Sequence, residues 1–333
     1  MILVWFNHWF STVYDIIELM REGGDVRIIG SSRNAYAVQR EVSDEWYAEP
    51  DISGREYVDF CLAFCREHGV DVFVPRRQMT EISACAGEFA AIGVKLLTER
   101  HELVSLLADK RLTYEYFRDS SSIKVPGYRI VTDRAGFEAG YAELREKYDR
   151  LCIKFAKDEG ALSFRKITER RTVDLRCYVS SEVTFDELCG YLDEHSGERE
   201  IMLMPYLSGT EISADCMMTD SGLVTVPRFK SFGRHEFVRY DADILRACET
   251  IAGALKPEFP CNIQFRMLGD VPYLLEINPR MSGGVQMSVL ASGVNFPPLA
   301  LMKLLGRETR CTPDRRECTV SHIERPCIIE GAK

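Results

Sequence analysis

The sequence has no apolar run approaching the roughly 20 residues that a membrane-spanning helix requires. Residues 1–6 are apolar, yet no basic segment precedes them and no small-residue cleavage site follows, which argues against a secretory signal. We therefore expect no membrane partner and a cytoplasmic location, with residues 1–6 forming a first strand.

A surplus of positive charge is also missing. The formal net charge is −9 and the isoelectric point is near 5.4, whereas binding to duplex nucleic acid requires a basic surface. The sequence thus predicts no nucleic-acid partner, while a local basic pocket for phosphates stays open.

The cysteines lack the pairing that structural metal sites use. There are 12 of them, but none forms a CxxC pair. In the tail, the spacing of Cys311, Cys318, His322 and Cys327 does not match a common zinc module. We expect reduced, mostly buried thiols rather than a metal site in the tail.

The glycine-rich turn of dinucleotide-binding proteins is absent too, because residues 7–12 read Asn-His-Trp-Phe-Ser-Thr. A nicotinamide-dependent oxidoreductase is therefore a disfavoured alternative. Residues 1–98 nevertheless alternate strands with helices, which indicates a parallel sheet covered on both faces. The predicted strands are 2–6, 26–30, 70–75 and 94–97, and the predicted helices are 13–21, 55–68 and 80–90.

A chain of 333 residues is too long for one compact core. The alternation of strands and helices changes near residue 100, where a domain boundary is expected. A helix is predicted at 102–118, and the strands that follow are joined by short turns, which suits an α+β region with antiparallel sheets. These strands are predicted at 151–157, 201–207, 211–218, 223–230, 262–267 and 273–277, with helices at 134–148, 185–194 and 242–255.

The most informative segment is residues 261–284, which read Cys-Asn-Ile-Gln-Phe-Arg-Met-Leu-Gly-Asp-Val-Pro-Tyr-Leu-Leu-Glu-Ile-Asn-Pro-Arg-Met-Ser-Gly-Gly. Two β-rich runs flank a Gly-Asp turn, which predicts an antiparallel hairpin. With the loop centred on Asp270, Gln264 lies opposite Glu276, and Arg266 and Asn278 point the same way. Amide and carboxylate oxygens suit Mg²⁺ and a guanidinium suits phosphoryl oxygens, although a solvated polar face is the alternative.

This segment resembles the carboxyl-terminal metal motif of the ATP-grasp enzymes, especially the branch that contains the carbamoyl phosphate synthase large chain. The residues that carry the resemblance are Glu-Ile-Asn-Pro-Arg at 276–280, Ser-Gly-Gly at 282–284 and the preceding Asn-Ile-Gln-Phe-Arg. It extends over about residues 100–306, with weaker support in the first hundred.

The resemblance implies a fold of mixed α/β and α+β class, with an amino-terminal parallel-sheet (pre-ATP-grasp) domain at 1–100. An ATP-grasp region would follow at 101–306, with a small lobe around 125–208, and a tail at 307–333. It also implies that Gln264, Glu276 and Asn278 bind Mg²⁺ (or Mn²⁺), with Glu276 bridging two ions. Arg280 would contact the transferred phosphoryl group, and the turn Ser282, Gly283 and Gly284 would lie near the substrate carboxylate.

Further residues match the nucleotide-binding positions of the family, each with a plainer alternative as a surface side chain. Lys110 would be the first nucleotide lysine, and Lys154 would contact adenine and the α-phosphate. The loop 158–163 has one glycine where relatives often have several. The other predicted ATP contacts are Gly160, Ser163, Pro205, Tyr206, Leu207, Glu211 and Arg228, and the predicted catalytic cations are Lys230, Arg266 and Arg280.

Taken together, these implications predict a ligase that uses ATP to activate a small-molecule carboxylate as an acylphosphate. An amine or a similar nucleophile would then displace phosphate. The alternative, favoured by the glycine-poor loop, is a catalytically weakened nucleotide-binding or sensor protein. The partners expected are ATP, the carboxylate and the nucleophile, and a homodimer is left open.

Overall fold

The computed structural model describes residues 1–8, 10–157, 163–171, 181–231, 233–324 and 326–329. The chain divides into two compact units. The first unit comprises residues 1–107, 210–264 and 277–333, and the second comprises residues 108–209 and 265–276. The units do not follow the domain boundaries expected at 100 and 306, which stay predictions.

Residues 1–107 form a five-stranded sheet with helices between the strands. The elements are β1 Ile2–Phe6, α1 Val13–Glu22, β2 Val26–Ser32, a 3-10 helix Val38–Val42, β3 Glu45–Ala48, α2 Gly54–His68, β4 Val72–Val74, α3 Met79–Ala84, α4 Ala86–Ala91, β5 Lys95–Leu96 and α5 His101–Ala108. The strands lie in the order β3-β2-β1-β4-β5 and every pair is parallel. The parallel sheet expected from the sequence is confirmed.

Alternating side chains of β1 fill two different cores, as a sheet covered on both faces requires. Val4 and Phe6 belong to one apolar cluster. Trp5 belongs to the other and stacks on Phe73 with 4.0 Å between ring centroids. Two details of the prediction are wrong: β3 was not expected, and the helix expected at 80–90 is broken at Cys85.

The second unit contains the elements α6 Lys110–Phe117, β6 Arg129–Val131, α7 Arg134–Arg145, β7 Leu151–Phe155, β8 Arg165–Thr168, β9 Glu182–Thr184, α8 Phe185–Glu194 and β10 Ile201–Pro205. Its sheet has the order β6-β10-β7-β8-β9. The helix expected at 102–118 is two helices, because Asp109 adopts an extended conformation and its side chain accepts a hydrogen bond from the backbone N of Arg111, which caps α6.

The remaining elements are β11 Glu211–Thr219, β12 Gly222–Lys230, β13 His235–Val238, α9 Ala242–Leu255, β14 Cys261–Leu268, β15 Val271–Asn278, α10 Val285–Ser292, α11 Phe296–Leu304 and β16 Cys318–Ser321. The strands form a sheet in the order β15-β14-β11-β12-β13-β16. The predicted hairpin is confirmed as β14 and β15, and Gly269 in its turn has φ +59°, a conformation that favours glycine.

The carboxyl-terminal region was expected as a tail, but part of it belongs to this sheet. β16 pairs antiparallel with β13, with Phe237 opposite Thr319. In the described part of the chain, no single helix is long and apolar enough to cross a membrane; α10 and α11 meet that criterion only as a pair, and they are bent by 98°.

Candidate functional site

A buried lysine lies at the centre of the second unit. Lys154 is on β7 with only 8% of its surface exposed, and its Nζ donates to the hydroxyl of Tyr114 at 3.3 Å. That hydroxyl in turn donates to the carbonyl oxygen of Leu275 at 2.8 Å. Burial, and secondarily the charge of Lys110, lowers the pKa of Lys154 to about 8. An ammonium held in this way gains strongly from a bound anion.

Lys110 and Glu276 lie next to each other in the same unit. Nζ of Lys110 is 3.5 Å from Oε2 of Glu276, and both side chains are partly buried. The Glu276 carboxylate is therefore already beside a cation, and the two lysines Lys110 and Lys154 lie near enough to interact electrostatically. The arrangement offers positive charge to an anion and a carboxylate to a divalent ion.

The segment predicted to receive adenine follows β10. The backbone N of Tyr206 donates to the carbonyl oxygen of Arg150 at 2.8 Å, and the carbonyl oxygen of Pro205 accepts a weak bond from Cys152 Sγ at 3.6 Å. Leu207 is buried. A surface cleft, lined in part by Arg150, Pro205 and Tyr206, opens beside this segment. The predicted adenine contacts stay predictions.

Two other residues predicted for this part of the site have contacts within the unit. Arg266 donates from Nε to the carbonyl oxygen of Gly209 at 3.3 Å and lies over the ring of Tyr206. The hydroxyl of Ser163 accepts from the backbone N of Phe155 at 2.8 Å. Gly160 lies outside the described residues.

In the first unit, Arg228 is buried in a polar network rather than exposed on its strand. Its side chain is 2% exposed and forms ion pairs with Asp215 at 3.1 Å and with Glu236. It also donates to three serine hydroxyls, those of Ser213, Ser282 and Ser288. This burial indicates a structural role for Arg228, and its predicted contact with a nucleotide phosphate stays a prediction.

The same network explains part of the predicted substrate turn. A Cβ atom on Gly284 would lie 2.8 Å from Cζ of Arg228, and one on Gly283 would lie 3.1 Å from Oγ1 of Thr12. Ser282 is held by Arg228. Close packing therefore explains why small residues stand at positions 282–284. Their predicted contact with substrate stays a prediction.

Lys230 and Glu211 were predicted for different roles, the first in catalysis and the second at ribose. In the structure they form an ion pair with each other across β11 and β12. Lys230 is 40% exposed, so this pair contributes little to stability. Both side chains stay accessible to a ligand.

The predicted metal ligands of the first unit are amides with defined partners. Gln264 donates from Nε2 to Oδ1 of Asn262 at 3.0 Å, and Asn262 donates from Nδ2 to Asp215 at 2.9 Å. Asn278 accepts from Arg280 at 3.2 Å through Oδ1. Because the amide nitrogen of Gln264 makes the bond to Asn262, its carbonyl oxygen is the atom suited to a metal ion.

Sequence reasoning missed Tyr114 and Asn262. Both had a usable signal: Tyr114 is four residues after Lys110 and hence on the same helix face, and Asn262 is two residues before Gln264 and hence on the same strand face. Each of them holds a predicted site residue in place.

Comparisons with known protein sequences agree with the motif. A family model described as ATP-grasp in the biosynthetic pathway with Ter operon matches residues 197–326. The arginine-specific carbamoyl phosphate synthase large chain of Geobacillus stearothermophilus is 23% identical over 314 residues, covering 90% of this chain and 28% of that relative. The carbamoyl phosphate synthase large chain of Thermoanaerobacter sp. is 30% identical over 146 residues, covering 38% of this chain and 14% of the relative. The chain thus spans less than a third of the length of these relatives.

Solved structures agree on the fold. The biotin carboxylase domain of 2-oxoglutarate carboxylase from Hydrogenobacter thermophilus, in complex with MgADP, ADP and bicarbonate, has a TM-score of 0.71 at 14% identity, covering 93% of this chain and 71% of that one. N5-carboxyaminoimidazole synthetase from Staphylococcus aureus, in complex with ADP, has a TM-score of 0.70 at 13% identity, covering 96% and 81%. Residues 197–326 thus match an ATP-grasp family, the chain is similar in sequence to carbamoyl phosphate synthase large chains, and its fold is the ATP-grasp fold.

Proposed function

We propose that the protein is an ATP- and Mg²⁺-dependent ligase that activates a small-molecule carboxylate and joins it to an amine or a similar nucleophile. The observation that carries the proposal is the group formed by Lys110, Lys154 and Glu276 within one unit. Two cations beside one carboxylate suit a metal-bound polyphosphate better than they suit a packed core, where an unpaired charge is costly.

In the second unit Glu276 offers a carboxylate, a hard donor of the kind that Mg²⁺ prefers. The family resemblance adds the amide oxygens of Gln264 and Asn278 as further ligands of the ion. The ion would neutralise the charge on the phosphates as the phosphoryl group is transferred. Lys110 and Lys154 would orient the nucleotide, while Arg280, held by the carbonyl oxygen of Met281 at 3.0 Å, would face the transferred group.

The chemistry balances without a side-chain nucleophile. A carboxylate oxygen of the substrate attacks the γ-phosphorus, the bond from that phosphorus to ADP breaks, and an acylphosphate forms. The amine then attacks the acyl carbon, inorganic phosphate leaves with the C–O bonding pair, and the amine loses a proton to solvent. Positioning and electrostatic stabilisation lower both barriers.

The relatives in this superfamily differ in acceptor, so the proposal is tested by a screen. Purified protein with ATP and Mg²⁺ is given amino acids, dipeptides and simple carboxylic acids, each with and without added amines, and ADP release is measured. At least one carboxylate should stimulate ADP release, and mass spectrometry should find the joined product.

Two substitutions make the screen specific. Lys154→Met and Glu276→Gln should each reduce stimulated ADP release by about 100-fold or more, because each removes charge that acts in a water-poor site. Lys157→Met, on an exposed side chain three residues away, is the matched control and should leave the rate unchanged. ATP binding without ADP release in the whole screen would support the alternative, a nucleotide sensor.

A further inference from the structure

Two hydrogen bonds in the first unit connect a buried carboxylate to a predicted metal ligand. Asn262 donates from Nδ2 to Oδ1 of Asp215 at 2.9 Å, and Gln264 donates from Nε2 to Oδ1 of Asn262 at 3.0 Å. We call this series, from Asp215 through Asn262 to Gln264, the relay. Asp215 and Asn262 are 3% and 0% exposed, and Gln264 is partly buried. Water therefore does not compete for the inner bond of the relay.

The inner end of the relay is held by an ion pair. Oδ2 of Asp215 accepts from the guanidinium of Arg228 at 3.1 Å and from the hydroxyl of Ser288 at 2.6 Å. Arg228 stays protonated in proteins, and an ionised carboxylate accepts hydrogen bonds but cannot donate one. Asp215 is therefore an acceptor only, and the group that faces it must be a donor.

This requirement sets the direction of both amides in the relay. A side-chain amide donates through its nitrogen and accepts through its oxygen, so Asn262 points its nitrogen at Asp215 and its oxygen at Gln264. Gln264 must then point its own nitrogen at Asn262. Turning either amide over would place two acceptor oxygens in contact away from water, which is unfavourable. The hydroxyl of Ser213, which accepts from Asn262 at 2.9 Å, can donate or accept and imposes no direction.

We propose that Asp215 and Asn262 are positioning residues, which hold Gln264 so that its carbonyl oxygen is presented to the divalent ion of the proposed ligase. The inference rests on the role of Gln264 as a metal ligand in the proposed function and extends that role to two buried residues. An amide that turns freely presents its NH₂ group to the ion part of the time, and a cation repels that group. Partners that orient a metal ligand change metal affinity by about 10- to 100-fold.

The test measures binding of Mn²⁺ to the full chain without nucleotide, from the EPR signal of the free ion. Mn²⁺ prefers oxygen ligands as Mg²⁺ does, and it broadens the NMR signals of nearby nuclei. The sequence has only four glutamines, so a protein labelled with ¹⁵N in the glutamine side chains gives few signals. The signal of Gln264 is identified by its loss in Gln264→Glu. We expect saturable binding of Mn²⁺ and broadening of the Gln264 signal.

A substitution in the middle of the relay should weaken this binding. Asn262→Leu keeps the approximate size of the side chain and removes the amide, so Mn²⁺ should bind about 10-fold more weakly or worse. Asn295→Leu is the matched control, because it removes an amide that donates to the carbonyl oxygen of Leu19 in the same unit. It should leave the affinity unchanged. Thermal unfolding establishes that each variant is folded, and Asn262→Ser, which removes the same amide, serves if Asn262→Leu is not.

A rescue experiment separates orientation of the ligand from support of the fold. With Gln264→Glu present, both oxygens of the ligand are acceptors, and no partner is needed to orient it. Adding Asn262→Leu to Gln264→Glu should therefore change the affinity for Mn²⁺ by less than about 3-fold, within the range expected of independent changes. An equal loss of affinity from Asn262→Leu in both backgrounds would show that Asn262 only supports the fold, and it would overturn the inference.

The remaining outcomes separate this inference from the ligase proposal. The inference is overturned if Mn²⁺ does not bind, if it leaves the Gln264 signal sharp, or if Asn262→Leu binds Mn²⁺ as tightly as the unchanged protein. None of these results bears on whether a carboxylate stimulates ADP release. The expected pattern of affinities supports the inference even where ADP release is never stimulated, a result that would count only against the ligase.

Discussion

The guanidinium of Arg228 occupies the space that a side chain at position 284 would need, since a Cβ on Gly284 would lie 2.8 Å from Cζ of Arg228. The arginine cannot move aside easily, because Asp215 and Ser288 hold it in a buried position. The glycine is therefore required by packing, whatever contact its backbone makes with a ligand.

Gly284→Ala should thus destabilise the protein by about 1–3 kcal/mol, the range for overpacking a tight site. The free energy of unfolding is measured in urea. Gly253→Ala, in the last turn of α9 where an added Cβ meets nothing within 4 Å, is the control and should stabilise by up to about 0.5–1 kcal/mol. Equal effects of the two changes would contradict the proposed packing.

Arg228 and Lys230 lie two residues apart on β12, and their substitution should lower the stability by very different amounts. Arg228→Met leaves the buried carboxylate of Asp215 and the partly buried carboxylate of Glu236 without their cation, which should cost about 3–5 kcal/mol of stability. Lys230→Met breaks only a partly exposed pair with Glu211 and should cost less than about 1 kcal/mol. Urea unfolding of both variants measures this difference. A large loss of stability in Lys230→Met, or no loss in Arg228→Met, would contradict the burial of Arg228 and the exposure of Lys230.

The buried ammonium of Lys154 gives the stability a pH dependence. Its pKa is about 8 in the folded protein against an ordinary value of 10.5, so between these values the unfolded chain binds more protons. Folding is therefore opposed by the buried charge below pH 8, and this opposition disappears as the pH rises to about 10.5. Each pKa unit corresponds to about 1.4 kcal/mol.

Lys154→Met should remove that contribution. The stability gained by the substitution should be largest below pH 8 and shrink by about 3 kcal/mol at most by pH 10.5, as measured by urea unfolding at each pH. Lys157→Met should show no such trend. A difference between the unchanged protein and Lys154→Met that is constant with pH would show that the lysine titrates normally in the fold.

The parallel sheet and the hairpin of β14 and β15 were predictable because their signals are local. Apolar runs of β1 and β4 alternate with amphipathic helices, and the Gly-Asp turn between two β-rich runs fixes the hairpin. Two weaker strands, β3 and β16, were not predicted. β3 is four residues long and mixes a charged residue with aromatic ones. β16 pairs with β13, which lies about eighty residues earlier in the sequence.

The surroundings of single charges were not predictable. Arg228 and Lys230 alternate on one strand, and the sequence suggests two equivalent cations on one strand face. Only the folded chain shows that Asp215, Glu236 and Ser288 come from separate elements to bury the first of them.

The account rests on transfer of a phosphoryl group to a carboxylate oxygen, and isotope transfer tests this most directly. A carboxylate that stimulates ADP release is labelled with ¹⁸O in both oxygens, incubated with the protein, ATP, Mg²⁺ and the amine, and the released phosphate is analysed by ³¹P NMR. The account predicts one ¹⁸O atom in each phosphate, because the acyl C–O bond of the acylphosphate breaks. ADP release with unlabelled phosphate, or no stimulation by any carboxylate, would contradict it.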